Sequence, residues 1–361
     1  MPPNIRYGLG SFPDDHSWRC DGCVSLNLPT EHLIFMLPKF LCDCGQKFNG
    51  DFRISMDDIR INGHVILGKI HIQLEKRCVA YAYVHSLQIL ERLECIIMKG
   101  DPSLLEDLNP EKLFDMYEDR RSEMTKMGCS TKPVDNVRIV HLGLILKEDG
   151  LEGESAKTDN VHKVGDVTVI AKNDFEGIAT ALAEGSALVT TFYSGKRLRD
   201  LKYGQIYKAY RASDYKNKNK KLVGHAVCII GAGREKGEEY YDVVNSHKKF
   251  CVRRDAEGNV LKFGVGRIRA SDLKCNVIRL SRAAANGEDE WRLQPQTEIV
   301  LNDHNRHLMT RLKMGSRVPP LNTPTLQQTR TRLWTGRRTL CITTCLILRS
   351  TFLEPRWSSL D

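Results

Sequence analysis

The segment from Arg77 to Leu93, RCVAYAYVHSLQILERL, constrains the fold more than any other part of the chain. It runs without glycine or proline, and its apolar residues recur on a helical period. On a 3.6-residue wheel Cys78, Ala82, Leu87, Leu90 and Leu93 or Ile97 stand near one another, which predicts an amphipathic helix from Cys78 to about Ile97. A helix of that length needs a core to cover its apolar face. Its first residue is a cysteine, and position alone allows two readings: a nucleophile at a helix N-terminus, or a small apolar residue entering the core.

At 361 residues the chain has room for one large domain or two ordinary ones, either of which buries a core without staples. The start, Met1-Pro2-Pro3-Asn4, has no charged stretch leading into an apolar run, so no secretory signal is read there. The late apolar run Leu340 to Leu348 is too short to span a bilayer. The sequence on its face is that of an intracellular protein with no membrane partner. The net charge of +9 is concentrated at the end: Leu301 to Asp361 holds ten Lys and Arg against three Asp and Glu. A basic segment of that composition, without a recognisable fold, reads as a solvated tail rather than a nucleic-acid surface.

Other elements follow from local signals. Asn109-Pro110 caps and opens a second helix through Tyr117. Beyond Val134 the texture turns strand-rich: Val167 to Ala171, Ala187 to Phe192, Leu222 to Ile230, Tyr240 to Val244 and Val260 to Ile268, the last after the turn Asp255 to Asn259. A short helix from Asp174 to Glu184, stopped by Gly185, interrupts them. Residues 1–50 show no sustained period and read as a leader, 51–285 as the folded domain and 286–361 as a basic, low-order tail. The class is α+β, helices first and sheet second, with the site in the cleft between them.

Twelve cysteines are unevenly spread. Cys20, Cys23, Cys42 and Cys44 form two pairs whose thiolates suffice for a tetrahedral zinc site, but Cys42-x-Cys44 is one residue tighter than the usual knuckle. The expectation is no metal and no cofactor, with these four as the zinc ligands of the competing reading.

Nucleophilic cysteine chemistry needs a thiolate, an imidazole to pair with it and a group that orients the imidazole, all brought together by folding. The second half supplies Gly224-His225-Ala226-Val227 and then Val243-Val244-Asn245-Ser246. Alone, His225 is read as a hydrogen-bonded core histidine and Asn245 as a turn residue. Together with Cys78, in this order and with 147 positions from Cys78 to His225, they resemble the Cys, His and Asn of the papain-like cysteine peptidases. Flanking stretches are similar too: Asp58-Ile59-Arg60, Leu108 to Leu113, Ala181 to Gly185 and Gly266 to Arg269. The resemblance covers about Ile54 to Leu280. It implies a two-lobed fold, with a helical first lobe and an antiparallel β-barrel-like second lobe, and a peptide or protein substrate cleaved through a Cys78 thioester. It further implies that His225 pairs with Cys78, that Asn245 orients His225, and that Gln73 joins the Cys78 N–H in an oxyanion hole. The family is commonly secretory, vacuolar or lysosomal.

The sequence departs from the family pattern near the site. Val79 replaces a bulky aromatic, and Gln73 lies five residues before Cys78 where the pattern has six. His247, Lys248 and Lys249 replace the Trp-Gly that shields the Asn–His bond, with His247 the candidate to stack there instead. Glu75-Lys76-Arg77 and Met116 stand where disulfide cysteines would be, Arg77 and Lys76 add positive charge beside Cys78, and no glycine pair lies between Gly128 and Asp149. A catalytically weakened or inactive homologue acting as a binding protein is therefore the alternative function.

Overall fold

The computed structural model describes residues 6–7 and 16–282 except 58, 74–76, 99, 127–134, 155–160, 210–222 and 248–249. The chain divides into two units, Met1–His304 and Asn305–Asp361, and the described residues all belong to the first. The basic tail and its charge lie outside them.

The long helix forms over Cys78–Ile97 (α1), as the period predicts. It is not half-exposed, however. Every residue from Val79 to Ile89 is buried, so α1 is a central helix with cores on more than one side. Val79, Tyr83, Val84 and Leu87 pack with residues of two further helices, Pro110–Lys126 (α2) and Asp135–Glu148 (α3), while Ile89 and Leu93 enter a second cluster under the sheet. Asn109 caps α2 by accepting the Glu111 N–H at 2.9 Å, as its position before Pro110 predicts, though the helix runs well past Tyr117.

The largest sheet has eight strands: Phe52–Ser55 (β1), Asp166–Ile170 (β2), Leu188–Ser194 (β3), Ile206–Tyr207 (β4), Val223–Glu235 (β5), Glu238–Val244 (β6), Val265–Arg269 (β7) and Val277–Ser281 (β8). Their order is β2-β8-β3-β5-β6-β7-β4, with β1 pairing β5. All pairs are antiparallel except β4 with β7. A fourth helix, Phe175–Ala183 (α4), is capped by Asp174, which accepts the Gly177 N–H, and is followed by Gly185 in the left-handed region.

β5 is long because it serves two neighbours in turn. Its first half pairs with β3, from Ser194–Val223 to Leu188–Ile229, and its second with β1, from Gly231–Ser55 to Arg234–Phe52. The switch coincides with a register shift against β6 between Ile229 and Gly231, where a bulge bends the strand. Gly231 is needed there, since a Cβ would stand 2.5 Å from the Ile54 carbonyl oxygen. Buried Asp242 then locks β1 to β6 through Arg53 at 2.8 Å. The Ser86 hydroxyl donates to the Ala187 carbonyl at 2.7 Å and ties α1 to the start of β3.

From His16 onward the leader packs on the same core. Ile34, Phe35 and Leu37 are at most 2 % exposed, and the Ile34 N–H donates to the Ala183 carbonyl at the end of α4. Among the described residues no helix is long and apolar enough to cross a membrane.

Candidate active site

Cys78 is the first residue of α1, where the leading N–H groups of the helix carry no intrahelical partner and favour an anion. It is half-buried, in contrast to Cys228, Cys251 and Cys275, which are buried in the sheet region. Burial pushes the Cys251 thiol up to about 12 and raises Cys228 and Cys275 as well, so those three are held as neutral thiols.

The antiparallel pairing of β5 and β6 brings His225 and Asn245 together. Continuing the Cys228–Val244 register beyond the end of the ladder sets His225 across from His247, with Asn245 just outside the last rung. Asn245 Oδ1 lies 2.9 Å from His225 Nε2 and also accepts the His247 N–H at 3.0 Å. The second contact fixes the amide orientation, because a backbone N–H only donates. His225 Nε2 must therefore carry the proton, which leaves Nδ1 as the basic nitrogen of the neutral ring. On the other side, the Ala226 N–H points at Cys78 Sγ, 3.5 Å away. The sulfur of α1 thus sits against the residue following His225 on β5.

His247 stacks on His225, with ring centroids 4.2 Å apart and planes 24° from parallel, and Phe192 closes the ring's edge at 5.9 Å. His225 and Asn245 are 5 % and 1 % exposed. A histidine thus covers the hydrogen bond where the family pattern has a tryptophan. Asn245 Nδ2 is buried with no hydrogen-bond partner among the described residues.

The remaining sequence candidates are placed as follows. Gln73 lies beside this group: its N–H donates to the Ser246 carbonyl at 2.9 Å, and its Oε1 accepts the Ser246 hydroxyl at 2.6 Å. Arg77 is engaged by α2, pairing with Glu111 and with Asp115 at 3.4 Å and lying over the Phe114 ring at 4.7 Å. Glu111 also accepts the Tyr81 hydroxyl at 2.7 Å. The extra positive charge read beside Cys78 is therefore answered by two carboxylates. Val79 faces the helical core, and Met116 packs against it. Residues 135–148, inside the interval that lacks a glycine pair, form α3. Among the described residues all cysteines are free. Asp58, Lys76, Lys248 and Lys249 lie outside the described residues.

Sequence reasoning missed His71 and His85. His85 is on α1, its ring centroid 5.6 Å from that of His71 with the planes tilted by 39°; the His71 N–H donates to His85 Nε2 at 3.0 Å, and His71 Nε2 lies 3.2 Å from Gln88 Oε1. Neither fell in a recognisable motif. Elsewhere, the sulfurs of Cys20, Cys23, Cys42 and Cys44 all lie within 4.8 Å of one another.

No family model and no curated protein matches this chain. Solved structures do. The bromelain protease from Ananas comosus, solved with the E64 inhibitor, is 15% identical, with 64% of this chain and 98% of that one covered and a TM-score of 0.40. The Carica candamarcensis cysteine protease CMS1MS2, solved with E-64, is 15% identical over 64% of this chain and 99% of that one, with a TM-score of 0.41. A structure from work on the mite allergens Blo t 1 and Der p 1 is 15% identical over 60% and 67%, with a TM-score of 0.42. The first of these is a protease and the second a cysteine protease.

Proposed function

We propose that the chain is a cysteine peptidase that hydrolyses peptide bonds through Cys78, His225 and Asn245. The observation that carries this reading is the Asn245 amide, pinned by the His247 N–H so that its oxygen takes the proton of His225 Nε2. That bond leaves His225 Nδ1 as the basic nitrogen, on a ring one residue from the amide that contacts Cys78 Sγ. In the resting pair the proton of Cys78 resides on Nδ1, and the thiolate gains from the N-terminus of α1. The thiolate attacks the scissile carbonyl carbon, and the oxyanion is received by the Cys78 N–H and the Gln73 side chain. The C–N bond then breaks, Nδ1–H protonates the departing amine, and an acyl-thioester remains on Cys78. His225 Nδ1 next takes a proton from water, whose oxygen attacks the thioester. Collapse releases the acid and restores the ion pair. Peptides or proteins are the substrate class, and no cofactor enters any step.

The second reading is an inactive homologue that binds peptides. It is favoured by Arg77, whose positive charge beside Cys78 is paired with Glu111 and Asp115 of α2 and so gives the thiolate less support. An epoxide or vinyl-sulfone thiol probe separates the two. Labelling of Cys78 that is lost in both Cys78→Ala and His225→Ala, with peptide cleavage lost in the same variants, supports the peptidase. Labelling that persists in His225→Ala contradicts it and marks an ordinary exposed thiol.

A further inference from the structure

Residues 18–44 are irregular. Their strands are pairs of two residues, Trp18–Arg19 with Leu26–Asn27 and Thr30–Glu31 with Met36–Leu37. Segments this short do not hold a shape by backbone pairing alone. Two tight turns nonetheless converge. In the first, the Val24 N–H donates to the Cys20 carbonyl at 2.8 Å and the Cys20 N–H to the Ser25 carbonyl at 2.9 Å. In the second, the Gly45 N–H donates to the Cys42 carbonyl and the Cys42 N–H to the Gln46 carbonyl, both at 2.8 Å, with Gly45 at φ +89°. Each turn delivers two sulfurs to one point.

Cys20 and Cys44 are 3.4 Å apart through their sulfurs, and Cys23 and Cys42 3.5 Å. Bonded sulfurs would be about 2.05 Å apart. Four sulfurs around one zinc, each at about 2.3 Å, lie about 3.8 Å from one another at the edges of a tetrahedron. Two of the six separations, 3.4 and 3.5 Å, lie close to that figure, and none exceeds 4.8 Å. The set is all-sulfur with two cysteines on each turn, the ligand set of a closed, structural zinc site rather than of a catalytic one with an open position. Cys20 and Cys42 are buried, while Cys23 and Cys44 are exposed and give an entry path for the ion. The tightness of Cys42-x-Cys44, which counts against zinc in the sequence, is absorbed by the left-handed Gly45.

We infer that Cys20, Cys23, Cys42 and Cys44 bind one zinc ion that clasps residues 20–44 onto the core. The clasp bears on the rest of the fold: Trp18, just before Cys20, packs tilted on Phe48, Phe48 packs tilted on Phe52, and Phe52 begins β1, which pairs with the strand carrying His225. The inference rests on the four sulfurs and not on the peptidase reading.

The test uses the full chain purified under reducing, chelator-free conditions. Elemental analysis and native mass spectrometry are expected to find about one zinc per chain, retained in Cys95→Ser and lost in the exposed-pair variant Cys23→Ser/Cys44→Ser. Cobalt(II) added to the zinc-stripped wild type should give the visible bands of tetrahedral thiolate cobalt, a readout that stands even if the double variant does not fold. Stripping zinc should lower the melting midpoint. A folded wild-type chain without metal overturns the inference, whether its four thiols alkylate freely or its mass is lower by the four hydrogens of two disulfides. Iron in place of zinc, or an unchanged melting curve after zinc removal, also overturns it.

Discussion

Asn245 does its work through one oxygen that accepts two hydrogen bonds, and the site's residue-scale predictions follow from that. Asn245→Ala removes the acceptor for a buried imidazole N–H, a loss of about 1–3 kcal/mol, and frees the ring to turn. Peptide cleavage should fall by about 10-fold or more in kcat/KM, with Cys78 labelling slowed rather than abolished. His247→Ala uncovers the same bond and removes an aromatic pair of about 0.5–1.5 kcal/mol, so a smaller loss of about 2- to 10-fold is expected. His247→Trp should retain activity, because a larger ring in the same place still excludes water from the His225–Asn245 bond. A set of steady-state rates checks all three, and a His247→Ala enzyme as fast as wild type would show that the stacking does not support the pair. At this scale Cys78, His225 and Asn245 were legible as candidates, because the proposed chemistry would need those residue types in that order. What Arg77 does was not, since the carboxylates that answer it sit on α2, more than thirty positions away in sequence.

At the scale of elements, α1 is where acid should act on the fold. His85 is wholly buried in the helix, and burial pulls its pKa down to about 3, while burial also lowers His71. Each ring is neutral when folded and takes a proton near its ordinary value of about 6.5 when unfolded. The unfolded chain therefore binds more protons, and stability falls as pH drops below about 6.5 toward 3, with a slope near 1.4 kcal/mol per pH unit for His85. Protonation would also set an N–H of His85 against the His71 N–H it now accepts. His85→Gln, whose oxygen keeps the acceptor and does not titrate, should flatten that slope in melting curves between pH 7 and pH 4. An unchanged slope would contradict the assignment. His162 acts in the opposite sense. Its bond to buried Glu91 raises its pKa, so its contribution is full below about 6.5 and is lost as pH rises through the raised value. Elements with caps were readable: Asn109 for α2, and Asp174 and Gly185 for α4. α3 was not, because VRIVHLGLIL is β-branched and nearly all apolar; Ile139, Leu142, Ile145 and Leu146 are buried, so no polar face marks the period.

For the unit as a whole, the notable feature is how far the sheet's neighbours are drawn from the start of the chain. The sequence shows no period in residues 16–50 because strands of two residues are too short to display one, and burial there comes from single residues such as Ile34, Phe35 and Leu37. β1 was unreadable for a similar reason: four residues give little alternation, and its pairing with β5 depends on a bulge and on Gly231. These contacts make a stability prediction that a solvated leader would not. Ile34→Ala, at a site 1 % exposed, should destabilise the unit by about 2–4 kcal/mol in denaturant unfolding, against less than about 0.5 for Leu28→Ala, which is 65 % exposed. Equal effects at the two positions would mean that residues 16–50 are not part of the cooperative unit. The central claim, a Cys78 thiolate held by His225, is tested most directly by the pH dependence of Cys78 alkylation with iodoacetamide, read by peptide mass mapping. The account predicts a rate already substantial several units below the ordinary thiol value of about 8.5, and a profile that moves up toward that value in His225→Ala. A wild-type profile that rises only near 8.5, and is the same in His225→Ala, would contradict it.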